Sequence, residues 1–225
     1  VVPRAAPVTV ALVVAVAVVG AVLLLRRAST RRAQVVTGAG ILAVVAVASA
    51  SVALFSTQLL ALLGKSGDFT GRVGIWESVL ELANERALAG WGWVSFWVPW
   101  TAPFEDLAFR NGVRQLQAHN AWIDVYFQLG VLGLVVFVAL VASTALRSWF
   151  LAVDRPQSRP DQRDRFTALS VVPVAMLTVL LVQSVAESRL LVEGGFALLV
   201  LFAISSKGTW TATSSLEPAR PLGRP

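Results

Sequence analysis

One histidine and one arginine carry most of the chemistry this chain can do. His119 is the only histidine among 225 residues; Asn120 follows it, and an apolar stretch begins there. Histidine titrates near neutrality and can take a proton from a hydroxyl, whereas arginine keeps its proton at any ordinary pH. Upstream, Gly71 and Arg72 stand where a helix is predicted to start. A cation there opposes the helix dipole, so an anion would compensate it, and the free N–H groups of a helix start attract phosphate. Gly71 lets a ligand come close to the backbone, and arginine adds a forked donor suited to phosphate oxygens. By residue type, His119 is the candidate base and Arg72 the candidate anion clamp. The structural alternatives are a helix-start or interfacial histidine, and an arginine that snorkels to headgroups or pairs with Asp68 or Glu77.

Around this pair the polar residues are spaced like parts of one site. Asn120, Asp124 and Gln128 recur every four residues and share one helical face. An unpaired charge at the bilayer centre costs roughly 2.5 to 3.5 kcal/mol, less near the interface, so Asp124, expected about a turn below the surface, needs a partner. It either orients His119, binds substrate or bonds a neighbouring helix. Gly130 and Gly133 predict close helix packing. Arg110, Arg114, Gln115 and Gln117 bring a polar run to the outer mouth of the span, with Arg110 and Arg114 as candidate phosphate contacts. Glu187, Arg189 and Glu193 fall at a tight outer turn and form either a structural ion pair or a wall of the same cavity.

The elements that must position these residues are membrane helices. Of the chain, 56% is hydrophobic and 14% charged, with the apolar residues in long blocks that exclude charge. That is the composition of a polytopic membrane protein. There is no cysteine, so no thiolate metal site or disulfide framework, and a lone histidine cannot complete a histidine cluster. No metal or cofactor is expected. The net charge of +6 points to membrane orientation and not to nucleic acid.

Five spans are predicted, at about 8 to 25, 35 to 57, 121 to 146, 167 to 186 and 190 to 204. The first carries its arginines behind it, unlike a secretory signal. The chain opens on Val1 and enters a span almost at once, and it reads as a fragment whose earlier helices belong to the same protein. Arg26, Arg27, Arg31 and Arg32, and the later group Arg147, Arg155, Arg159, Arg163 and Arg165, flank spans in short loops and should be cytoplasmic. Segment 64–119 is then extracytoplasmic, and its acidic residues outnumber its basic ones. The organisation predicted is two helices in 1–63, the loop 64–119, three helices in 120–204 and a disordered cytoplasmic tail, 205–225.

A loop of that length needs structure of its own. Its first half is helical: Trp76, Val79, Leu80, Ala83, Ala87 and Leu88 recur at steps of three and four, with Glu77, Glu81 and Glu85 as a separate acidic stripe. Gly90, Trp91, Gly92, Trp93, Phe96, Trp97, Pro99 and Trp100 follow, as either an interfacial aromatic belt or a rim that grips sugar or lipid. The fold class is all-α, a polytopic transmembrane helix bundle with a long, partly helical extracytoplasmic loop.

These residues resemble a known family. His119-Asn120, nine residues, Gly130, two residues and Gly133 look like the histidine signature of the O-antigen ligase and O-antigen polymerase family. Gly71-Arg72 with Trp76 is similar to its arginine motif at the start of a periplasmic helix, where a leucine-like residue is more usual than Trp76. Gly90-Trp91-Gly92 resembles the segment after that helix. The resemblance covers roughly residues 35 to 205, the C-terminal part of a domain that in the family usually has about a dozen spans.

The resemblance implies metal-independent, inverting glycosyl transfer on the outer face of the bacterial cytoplasmic membrane. The donor would be an undecaprenyl diphosphate-linked glycan, and the acceptor a hydroxyl on a glycan or lipid. His119 would take the acceptor's proton and Arg72 would bind the diphosphate. Without any role taken from the family, Asn120, Asp124, Trp76, Trp93, Arg110, Arg114 and Arg189 are candidate substrate contacts. The motifs do not separate a polymerase from a ligase that moves a finished chain to a lipid or protein. The basic residues are almost all arginine and the apolar ones mostly alanine, valine and leucine, as a GC-rich bacterial genome would give; such a character suits a bacterium lacking lipopolysaccharide and so favours polymerisation or exopolysaccharide assembly. A non-catalytic transporter or lipid-binding module is the third reading; transporters break their spans near the midplane, whereas here the polar residues gather at the outer mouth.

Overall fold

The structure, a computed structural model, describes residues 6–28, 30–41, 43–44, 70–93, 102, 104–110, 113–114, 117–153, 168–192 and 194–214. Helix α1, Ala6–Arg27, is apolar to its last turn, where Arg26 and Arg27 sit at the negative end of the helix dipole. A second helix, α2, runs over 31–41 and so begins before the expected span, carrying Arg31 and Arg32 on its first turn. The remainder of that span, 45 to 57, lies outside the described residues, as do the aromatic stretch after Trp93, Glu193 and arginines 155 to 165.

The loop has the predicted helix, α3, Thr70–Glu85, with Gly71 and Arg72 in its first turn. Its buried stripe is Ile75, Val79 and Ala83: Val79 and Ala83 lie on the predicted face, Ile75 joins them, Trp76 is half-buried, Leu80 and Leu88 are exposed, and Glu77, Glu81 and Glu85 face out as expected. The difference comes from what α3 packs on. Phe104, Leu107, Ala118 and Phe127 close over that stripe and make a small core that joins α3 to the first part of α5. Phe104 and Leu107 come from and beside the short helix α4, Glu105–Ala108, which leads into a two-strand antiparallel ladder. Strands β1, Phe109–Arg110, and β2, Val113–Arg114, pair Phe109 with Arg114 and Arg110 with Val113.

Helix α5, Ala121–Val153, has 33 residues and rises about 50 Å, more than the roughly 30 Å hydrocarbon core needs. It is divided at Gly130, whose φ of 63° and ψ of −165° are not helical. The inner part, 131–153, alone rises about 35 Å and is long enough to cross. A short 3-10 turn, Ala168–Val171, leads into α6, Val172–Ser184, with Pro173 in its first turn, where proline is well suited. Helix α7, Gly195–Ser214, starts five residues later than expected and remains helical to Ser214, beyond the limit of 204. The tail from 205 thus begins as helix, because Ile204 and Ser206 still belong to the α7 helix and Ser206 is buried.

Among the described residues two helices, α1 and α5, are long and apolar enough to cross a membrane, and α6 and α7 are shorter apolar helices. The architecture is an all-α membrane bundle. Helix α1 lies on α6 and α5, and α5 on α7, α6 and α3. Two core clusters join them. Val22, Leu25, Ala152, Val153 and Val174 bring together the end of α1, the end of α5 and the start of α6. Ala121, Val125, Phe137, Val141, Leu177, Leu190 and Leu199 join α5 to α6 and α7. At the first cluster, Arg26 donates to the Ala152 carbonyl and to Ser170 Oγ, both at 2.6 Å, so an arginine satisfies a carbonyl that the end of α5 leaves open.

Candidate active site

The end of the bundle opposite Arg26 is built from the start of α5, the end of α6 and the first turn of α3. Asn120 caps α5: its Oδ1 accepts the N–H groups of Trp122 at 3.0 Å and Ile123 at 3.2 Å, and its Nδ2 donates to the Val185 carbonyl at 3.1 Å. Trp122 Nε1 donates to Ser184 Oγ at 3.0 Å, a second tie to the end of α6. Below these, Gln183 accepts the N–H groups of Ala186 and Glu187, which turns the chain sharply and aims Glu187 back toward α5.

Glu187 bridges the two residues on which the sequence reading rests. Arg72 donates from Nη2 to Glu187 Oε1 at 2.7 Å and from Nη1 to the Ala186 carbonyl at 2.6 Å. His119 Nδ1 meets Glu187 Oε2 at 2.9 Å. The three side chains are partly exposed, 30%, 28% and 25% for Arg72, His119 and Glu187 respectively. Residues 47 and 68 positions from His119 in sequence thus meet at one carboxylate. A carboxylate on Nδ1 selects the tautomer with its proton there and leaves Nε2 free to accept one.

His119 has φ of 55°, and among the described residues it is the one non-glycine in the left-handed region. Such a conformation persists where the surroundings over-determine it, and it gathers at functional sites. Here Ala118 is held on one side, its carbonyl accepting Trp76 Nε1 at 2.8 Å and its N–H donating to Asp124 Oδ1 at 3.1 Å. Asn120 holds the other side through its cap.

Several expected contacts have other partners here. Trp76 is half-buried against the outer core, with its indole spent on Ala118. Asn120 and Asp124 are buried, and their polar atoms bond protein groups. Trp93 is 50% exposed, and Arg189 is exposed on the turn after Glu187. Arg110 and Arg114 share the two-strand ladder, and their side chains lie outside the described residues. Trp91 is packed: Arg86 covers its ring at 4.0 Å, Phe104 meets it edge-on at 5.4 Å, and Nε1 donates to the Leu82 carbonyl. It is not a free stacking platform.

Gly130 does not serve helix packing as expected. It opens α5, and the turn after α3 docks backbone to backbone in the gap. Trp91 and Gly92 donate to the carbonyls of Phe127 and Gln128, while Val131 and Leu132 donate to those of Ala87 and Leu88. A Cβ on Gly90 would fall on the backbone of Gln128 and Leu129, and one on Gly130 on that of Leu88 and Ala89. Both glycines also have positive φ. The lock ties α3, which carries Arg72, to α5, which His119 precedes. Sequence showed the glycines of both segments but nothing of their meeting. Ser188 had no sequence signal at all.

Residues 5–138 match the family described as O-antigen ligase. The chain belongs to that family. The O-antigen ligase match starts earlier than the motifs suggested and stops inside α5, so it contains Arg72 and His119 but not the turn with Glu187. The chain is also similar to the exopolysaccharide production protein ExoQ of Rhizobium meliloti (strain 1021), 28% identical over 88 residues. That stretch is 38% of this chain and 20% of ExoQ, so the chain matches about a fifth of that relative's length. No solved structure matches the chain.

Proposed function

We propose that this chain is the catalytic-face portion of a bacterial cytoplasmic-membrane glycosyltransferase that polymerises or ligates undecaprenyl diphosphate-linked glycans in surface polysaccharide assembly. The observation that carries this is the Arg72–Glu187–His119 bridge, because it joins a donor for anions to an oriented base through one partly exposed carboxylate. The acceptor hydroxyl oxygen attacks the anomeric carbon as the bond from that carbon to the diphosphate oxygen breaks. The hydroxyl proton goes to His119 Nε2, and the bonding pair leaves with the diphosphate. Arg72 faces the charge that grows there, using guanidinium N–H groups beyond those given to Glu187 and Ala186. A positioned base is worth typically about 10² to 10⁴ in rate. One direct displacement inverts the anomeric carbon, and no step requires a metal.

The site lies at the end of the bundle opposite Arg26, Arg27 and Arg147. If those arginines are cytoplasmic, the site is outside, with 121–129 standing above the hydrocarbon and 131–153 crossing it. Asp124 then needs no place below the membrane surface. ExoQ's description favours exopolysaccharide as the product class.

The test uses the full-length protein, purified with lipid-linked repeat units, and compares wild type with His119→Ala and Arg72→Ala by glycan size. A ladder lost in both folded variants supports a polymerase using this pair. A single product that appears only with a second acceptor makes it a ligase. Variants equal to wild type end the catalytic reading and leave binding or transport.

A further inference from the structure

Asp124 is 2% exposed, yet both its carboxylate oxygens are engaged. Oδ1 accepts the N–H of Ala118 at 3.1 Å, and Oδ2 accepts the hydroxyl of Ser188. Ala118 precedes His119, and Ser188 follows Glu187. One buried side chain therefore grips the residue next to each partner of the His119–Glu187 contact. We propose that Asp124 is the positioning residue of this site: it sets His119 Nδ1 against the Glu187 carboxylate, and through Glu187 sets Arg72, without touching substrate. The inference rests on the reading of His119 as the base.

Four features support it. Burial leaves Asp124 no surface for a ligand, and a buried carboxylate persists only where hydrogen bonds satisfy it. Bonds to a charged acceptor are roughly twice as strong as neutral ones, which suits a clamp that must hold two loops. The left-handed backbone at His119 needs restraint on its N-terminal side, and Asp124 and Trp76 supply it from opposite groups of Ala118. Ser188 is itself 1% exposed and starts the turn that Leu191 and Val192 close by donating to its carbonyl, so fixing its side chain fixes the loop that bears Glu187.

The experiment compares wild type, His119→Ala, Asp124→Ala, Asp124→Asn and Ser188→Ala in the full-length protein in lipid nanodiscs. It measures kcat, KM for the lipid-linked donor, and thermal unfolding. Displacing a catalytic group by about 1 Å costs on the order of 10²-fold, so Asp124→Ala should lose about that in kcat with donor KM within about threefold. Asparagine can still accept from Ala118 and donate to the Ser188 hydroxyl, so Asp124→Asn should recover most of the rate. Ser188→Ala should fall between them and decides the matter if Asp124→Ala does not fold. Wild-type kcat in folded Asp124→Ala or in Ser188→Ala overturns the proposal, and so does Asp124→Asn as impaired as Asp124→Ala. Loss of donor affinity at unchanged kcat also overturns it. An active His119→Ala ends the base reading as well; an inactive His119→Ala beside an active Asp124→Ala ends the positioning role alone.

Discussion

A carboxylate placed between a histidine and an arginine governs both. Without Glu187, the Arg72 fork has lost its 2.7 Å partner and the His119 ring its 2.9 Å one, so each can rotate away from the other. Glu187→Gln keeps the shape but removes the charge that favours a proton on Nδ1. Because a positioned base is worth typically about 10² to 10⁴ in rate, glycan formation should fall by up to that factor while donor binding persists, measured by gel laddering and lipid-donor titration. Asn120 acts on the same backbone in a different way. Asn120→Ala removes the α5 cap and the bond to Val185, and should cost about 1 kcal/mol or somewhat more in detergent unfolding. Asn120→Asp keeps the capping oxygen and should recover the capping part. At this scale His119 and Arg72 were legible as types with suited chemistry. Their common partner was visible only as a charged residue on an outer turn, because a contact across 68 positions has no periodicity to announce it.

At the scale of elements, the interlock of the α3–loop segment with the break in α5 decides where the site residues stand. Gly90 closes the turn that follows α3 by donating to the Arg86 carbonyl, and takes a positive φ that suits glycine. Its missing Cβ is also the space in which α5 opens. Gly90→Ala and Gly130→Ala should each cut the yield of monodisperse protein sharply, by size-exclusion chromatography, since strained backbone and overlap with main chain coincide. Gly20→Ala, in mid-α1 with nothing within 4 Å of a new Cβ, should leave stability equal or raise it by up to about 1 kcal/mol. Periodicity revealed α3 and its acidic stripe, because three-and-four spacing is local. It found Val79 and Ala83 but not Ile75, and it included Leu80, because Phe104, Leu107 and Phe127, which select the buried face, lie far along the chain.

For the whole molecule, the joined ends of α1 and α5 with the start of α6 make one pole, and the Arg72–Glu187–His119 bridge makes the other. The 225 residues contain no cysteine, so single cysteines report orientation cleanly. With a membrane-impermeant maleimide, Glu81→Cys should label in intact cells, and Arg32→Cys only after permeabilisation; both positions are exposed. The reverse pattern would put the site in the cytoplasm, away from glycans already flipped outward. Sequence by itself determined the membrane class, the helical loop segment, the absence of thiol chemistry, and the arginine and histidine worth testing. These follow from composition and from short-range spacing. Only the tertiary structure decided that Glu187 joins them, that Asp124 turns inward to hold the loops, and that Gly130 breaks a helix to admit the turn at Gly90. Each of those depends on which distant backbone segment arrives within hydrogen-bond reach, and that is settled by packing of the assembled helices.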